Sequence, residues 1–143
     1  MLLAHADKTI VARAPEEAIA ESTAHCRESG RLTWIVLDWL IEHIDQIDEH
    51  KLLENTKQMG DLSVLGLLCD AAHERNPNEK FLCILRECKP HQPTEIFFHR
   101  VAHSPLASQI AKDNALDVFR RWGYLSNELK YLRDEKRAVA KPA

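Results

Sequence analysis

Two cysteines and two histidines, in the order Cys83-x4-Cys88-x10-His99-x3-His103, carry the most specific chemistry in this chain. Two thiolates and two imidazoles can supply four tetrahedral ligands to zinc, with His91 as a further donor nearby. The spacing argues against it. Cys83 and Cys88 stand five apart on an expected helix, about 140° around its axis, and converge on one ion only if the helix ends between them. Between Cys88 and His99 the chain carries Pro90 and Pro93 instead of a finger-like pattern. The expectation is a core position for Cys83, loop positions for the histidines, and neither metal nor cofactor. A zinc-stabilised helical module is the alternative. A second grouping, His43 and His50 with Glu42, Asp45 and Glu49, reads as an exposed acidic turn, and His25 and His73 as helix-surface or satisfied core residues.

Catalytic signatures are missing. No glycine-rich phosphate loop, HExxH helix or GxSxG elbow occurs, and acidic pairs on a helical surface mark no acid–base site. A non-catalytic protein is expected. Residues 106–119 contain Ile110-Ala111, which can open a helix-turn-helix. The small residue four positions on is Ala115, but Leu116 and Val118 are apolar where a recognition face should be polar. Arg120 and Arg121 equally suit a helix C-terminus. Trp122, Tyr124 and Tyr131, interleaved with Arg121, Lys130 and Arg133, can stack on bases or on a peptide. Such residues also cover cores while their polar tips reach water.

Charge weighs against nucleic acid as the main partner. The 143 residues carry a formal charge of −3. Residues 1–111 hold 11 Lys/Arg against 17 Asp/Glu, and residues 112–143 hold 8 against 5. A net-acidic chain with a weakly basic tail makes a poor phosphate-binding surface. The 45% hydrophobic and 29% charged content is that of a globular chain, long enough to bury a core without staples. Met1-Leu2-Leu3-Ala4 is soon interrupted by His5, Asp7 and Lys8, so no signal peptide is read. No apolar run approaches membrane-spanning length. The four cysteines sit mostly among apolar residues, which points to a cytoplasmic protein with reduced thiols.

Four glycines, six prolines and few alternating β-branched runs favour helix. Pro15 followed by Glu16 and Glu17 starts a first helix that Gly30 should stop. Residues 33–44 are apolar nearly all round and belong in the middle of the fold. A break near 45–48 leads to a third helix over 49–59, ended by Gly60. Asp61 or Ser63 caps a fourth, and Asn76-Pro77 starts a fifth running to Cys88. Pro90 and Pro93 make the strongest boundary. Residues 94–101 read as a strand or an extended arm, and Ser104-Pro105 caps a helix bent near Asn114 and ended by Gly123. Residues 124–132 read as a last helix or as a strand pairing with 94–101.

Gly30-Arg31-Leu32-Thr33 and Gly60-Asp61-Leu62-Ser63 open similar runs 30 residues apart, with four identities in 14 positions. A fixed period in this range is the mark of stacked helical hairpins. The expected architecture is mainly α: antiparallel helical hairpins in a short α-solenoid-like stack or bundle, with a divergent C-terminal segment able to hold a short β-hairpin. One helical domain spans 1–143, with a loose leader over 1–13, a hairpin core over 14–88, a capping segment over 89–132 and a charged tail over 133–143. The expected role is a non-catalytic protein–protein interaction or regulatory scaffold, binding another protein or a second copy of itself and no membrane. Arg120, Arg121, Trp122, Tyr124 and Tyr131 form its expected contact patch. Self-association of that patch with the acidic 38–49 region is the homotypic version. The alternative partner is nucleic acid, bound by a repressor or antitoxin-like regulator through residues 105–137.

Overall fold

A computed structural model describes residues 14–127. The expected leader, the charged tail and Tyr131 lie outside the described residues. Mainly helical, as expected, the described chain holds eight α-helices and one small two-stranded sheet. None of these helices is long and apolar enough to cross a membrane.

Helix α1 (Pro15–Thr23) begins with proline at its first position. Glu16 does more than complement the helix dipole. Its side chain is buried and its Oε2 accepts the Asp48 backbone N–H at 2.8 Å, joining α1 to the start of α3. A 3-10 turn (Cys26–Glu28) leads into α2 (Gly30–His43). Gly30 is therefore not a stop but the first residue of the next helix. Ser29 takes the cap, accepting the Leu32 N–H at 3.0 Å, because its hydroxyl supplies an acceptor that glycine lacks. Thr33 Oγ1 donates to the carbonyls of Cys26 and Ser29 at 2.7 and 2.9 Å, holding the turn against the helix.

The expected break after α2 is present as a 3-10 turn (Ile44–Gln46), and α3 (Glu49–Met59) follows behind an Asp48 cap. Gly60 adopts an extended conformation in which the helix ends beneath α1, and a Cβ there would overlap Ala20 O and Thr23 Oγ1. Asp61 then caps α4 (Leu62–Arg75). The caps Ser29 and Asp61 lie 32 residues apart, whereas the sequence match has a period of 30. The paired glycines thus fall at different places relative to their helices. Asn76 is the C-cap of α4, donating through Nδ2 to Ile41 O at 2.7 Å. The start of α5 (Glu79–Leu85) passes to Asn78, whose side chain accepts the Lys80 N–H.

Helix α1 packs chiefly on α3, α2 on α4, and α4 on α5. Nine of the fourteen residues of α4 are buried, so this helix is an axle about which the others are arranged. After α5 come β1 (Glu95–Ile96), α6 (His99–Ala102), α7 (Pro105–Asp113), α8 (Asp117–Arg121) and β2 (Tyr124–Leu125). The helix expected to bend near Asn114 ends there instead, with Asn114 as its C-cap. The two strands do pair, but not as the expected hairpin. They run parallel, with Glu95 opposite Tyr124 and Ile96 opposite Leu125. A hairpin reverses the chain at once; here three helices intervene and return it to the same end, the crossover that parallel pairing requires. Gly123 ends α8 with φ of 81°, and a Cβ there would also strike His91 O.

Gly66, inside α4, has its missing side chain replaced by the Trp122 ring, which a Cβ would overlap. Gly66→Ala gains about 1 kcal/mol of helix propensity but must displace that ring, so a net loss of about 1–3 kcal/mol is expected from urea unfolding. In a Trp122→Ala background the sign should reverse, because only the propensity gain survives. Loss in both backgrounds would show that the ring is not what excludes the side chain.

Candidate functional site

Residues Ser63, Gly66, Asp70 and Glu74 recur at spacings of three and four along α4, so they form one stripe down the helix. The C-terminal segment lies on that stripe in the opposite direction. Tyr124 Oη lies 2.6 Å from Ser63 Oγ, and Trp122 covers Gly66 while its Nε1 donates to Asp70 Oδ2 at 2.9 Å. Arg121 spans the next turn, with Nε on Asp70 Oδ2 at 2.9 Å and Nη2 on Glu74 Oε2 at 2.8 Å. These hydrogen bonds, to Asp70 first and Glu74 second, hold the guanidinium above its ordinary pKa. Arg120 turns the other way, its guanidinium donating to the carbonyls of Lys112 and Ala115 near the end of α7.

The expected contact patch is therefore assembled, but around α4. Trp122 and Tyr124 are buried, whereas Arg121 and Arg120 are both exposed, the first engaged by Asp70 and Glu74 and the second by two carbonyls. The polar order around Tyr124 follows from proton counting. An ionised Asp61 only accepts, so Ser63 Oγ donates to Asp61 Oδ1 at 2.6 Å and Tyr124 must donate to Ser63. Burial is the main reason the Tyr124 hydroxyl is pushed above its usual pKa.

Arg27 is the residue the sequence reading missed. From the 3-10 turn it donates through Nε to Phe97 O at 2.8 Å and through Nη2 to Ile96 O at 2.7 Å and Glu95 Oε1 at 2.8 Å. Its guanidinium carbon lies 4.8 Å from the Tyr124 ring centroid, and His91 stacks on the same ring at 4.9 Å. His91 Nε2 is 3.2 Å from Glu95 Oε1 without hydrogen-bond alignment. The Arg27 hydrogen bond, ahead of the His91 charge, draws the Glu95 carboxyl below its ordinary value of 4.5. No local pattern marks Arg27, since its partners lie nearly seventy residues away. Gly66 was visible as an isolated glycine in a helical run, a recognised sign of close packing.

The metal-ligand candidates are spread out. Cys83 borders an open groove of about 420 Å³ between α3 and α5, lined also by His50, Lys57, Arg86 and Glu87. Cys88 is buried and its thiol raised to about 12 by desolvation, while His99 is the first residue of α6 and His103 its C-cap. Among the described residues, no group of three or more His, Cys, Asp or Glu side chains is placed to hold a metal. His43 stacks on Trp39 with centroids 4.5 Å apart, its Nδ1 3.0 Å from Trp39 O. His73 Nδ1 accepts the Asn78 N–H at 3.1 Å, as a satisfied histidine would. Asp48 and Asp45 from the acidic region cap α3 and bind Asn78.

Among the described residues, the large apolar side chains left exposed are Met59, at the end of α3, and two on α7. Only Ala111 of this helix is buried, whereas Leu106 is 73% and Ile110 41% exposed, one turn apart on the same side. Helix α8 has five residues, too short for a recognition helix laid along a DNA groove, and its Arg121 is bound to α4.

Arg27→Met should cost about 2–4 kcal/mol in chemical unfolding, since two buried-side carbonyls lose a charged donor. Glu95→Gln should cost under about 1 kcal/mol, because this partner is largely solvated. The Glu95 contribution is present above pH 4.5, its ordinary value, and fades as pH falls through its lower folded value. Equal losses for the two variants would contradict this division. The chain matches no family model, no curated protein and no solved structure.

Proposed function

We propose that this chain is a non-catalytic protein-interaction module whose contact surface is the outer face of α7. The observation that carries the reading is the pair Leu106 and Ile110, two large apolar side chains held side by side in water on a helix otherwise capped and ordered. Burying such a pair against a partner is favourable, by roughly 25 cal/mol per Å² of apolar surface covered. Ser104 caps α7 by accepting the Ala107 N–H, and Arg120 binds its C-terminal carbonyls, so the surface is presented on a fixed element.

The remainder of the molecule then serves as the platform. The pairing of α1 with α3 and of α2 with α4 supports the finer architectural reading, two stacked helical hairpins of α-solenoid type. A regulatory scaffold role in the cytoplasm belongs to the same proposal. In support, Cys26, Cys69 and Cys88 are buried and raised by desolvation, behaving as small hydrophobes.

Photo-cross-linking in host cells from Gln109, which is exposed on α7, should capture protein neighbours. Leu106→Lys with Ile110→Lys should abolish that capture while thermal unfolding stays within about 3 °C of wild type. Undiminished capture by a folded double variant would end the reading.

A further inference from the structure

We propose that the occupant of the Leu106–Ile110 face is the same face of a second copy of this chain, the two α7 helices lying antiparallel. This rests on reading that face as an interface, and it names the partner. At about 100° per residue, Asp113, Leu106 and Ile110 fall within one narrow arc of α7, turned roughly 100–160° from the buried Ala111. A two-fold axis at the level of Ser108 sets Leu106 of each copy against Ile110 of the other, so one short stripe supplies both halves of the contact.

Charge selects the antiparallel arrangement. The exposed chain entering α7 carries Arg100, with His99 and His103 beside it, while Asp113 and Asp117 stand exposed at its far end, Asp113 also accepting from Gln109 Nε2 at 2.9 Å. Antiparallel helices bring His103 of one copy level with Asp113 of the other and oppose the two helix dipoles. A parallel pair would place like charges together. Arg120 is drawn onto the Lys112 and Ala115 carbonyls, and Lys112 lies about a third of a turn from Leu106. Neither therefore crowds the stripe. Asp113 on the apolar arc also disfavours a phosphate backbone as occupant. With so few apolar side chains the contact falls below the roughly 1,200 Å² of stable complexes, so the pair forms reversibly with concentration.

Sedimentation velocity on the full chain under reducing conditions, from about 1 μM to about 1 mM, covers the affinities such an interface reaches. The average mass should rise towards twice that of the chain. Leu106→Glu with Ile110→Glu should raise the dissociation constant at least about tenfold while circular dichroism stays unchanged. Asp113→Lys should weaken pairing, and adding His103→Glu should restore it. In a Cys83→Ser background, His103→Cys mixed with Asp113→Cys should join through a short bismaleimide, with each variant alone joining far less. A wild-type chain that stays monomeric across the range overturns self-pairing. If cellular cross-links from position 109 then join chains of other mass, the interface reading survives without it; if they join nothing, both fall.

Discussion

The indole of Trp122 occupies the space that any side chain at position 66 would need. This substitution of one residue's ring for another's side chain sets how the two parts of the molecule meet. Once the ring is seated, Nε1 reaches Asp70, and the preceding Arg121 is carried onto Asp70 and Glu74 one turn further along α4. The following residue must then turn sharply, and Gly123 does so with a positive φ that only glycine adopts without strain. Tyr124 arrives over Ser63. Three consecutive contacts along a rigid helix thereby determine the position of β2, and through β2 the position of β1.

A second anchor acts from the opposite direction. Arg27 reaches from the turn between α1 and α2 to the carbonyls of Ile96 and Phe97, so β1 is held by the helical part as well as by β2. A two-residue parallel pair is too short to persist by its own hydrogen bonds. It persists here because Phe97 packs edge-on against Phe98, Phe119 and Tyr124, at centroid distances of 4.7, 5.2 and 4.9 Å. The aromatic cluster supplies burial, and the guanidinium satisfies the carbonyls that the short sheet leaves over.

Local signals in the sequence were read correctly where local chemistry decides. Residues 49–59 form one helix, Asp61 rather than Ser63 caps the next, and Ser104-Pro105 starts another, all set by side-chain oxygens beside backbone donors. Gly30 was misread as the stop of the first helix, which already ends at Thr23, and Asn76 as a cap that Asn78 supplies two residues later. The sheet was misread because strand direction depends on the path of the intervening helices, which no residue in 94–101 encodes. The aromatic and basic residues near position 121 looked the same whether facing outward or inward. Their orientation was decided by Asp70, Glu74 and Gly66, some fifty residues away, and amphipathic rings with polar tips satisfy both environments.

In the folded chain the most conspicuous residues are also the most fully engaged. Arg121, Trp122 and Tyr124 are rich in binding potential, but in the folded chain that potential is consumed by α4. The acidic residues Asp45 and Asp48 are similarly consumed by Asn78 and by the start of α3. Leu106 and Ile110 are chemically plain, and nothing in their types alone suggests a role. They differ in having been left in water by a fold that buries large apolar side chains almost everywhere else in its described core. A helix of nine residues that is capped at both ends yet buries a single alanine contributes little to the core it sits beside. Its order rests on its caps, on the Arg120 guanidinium and on its packing against α6 and β1.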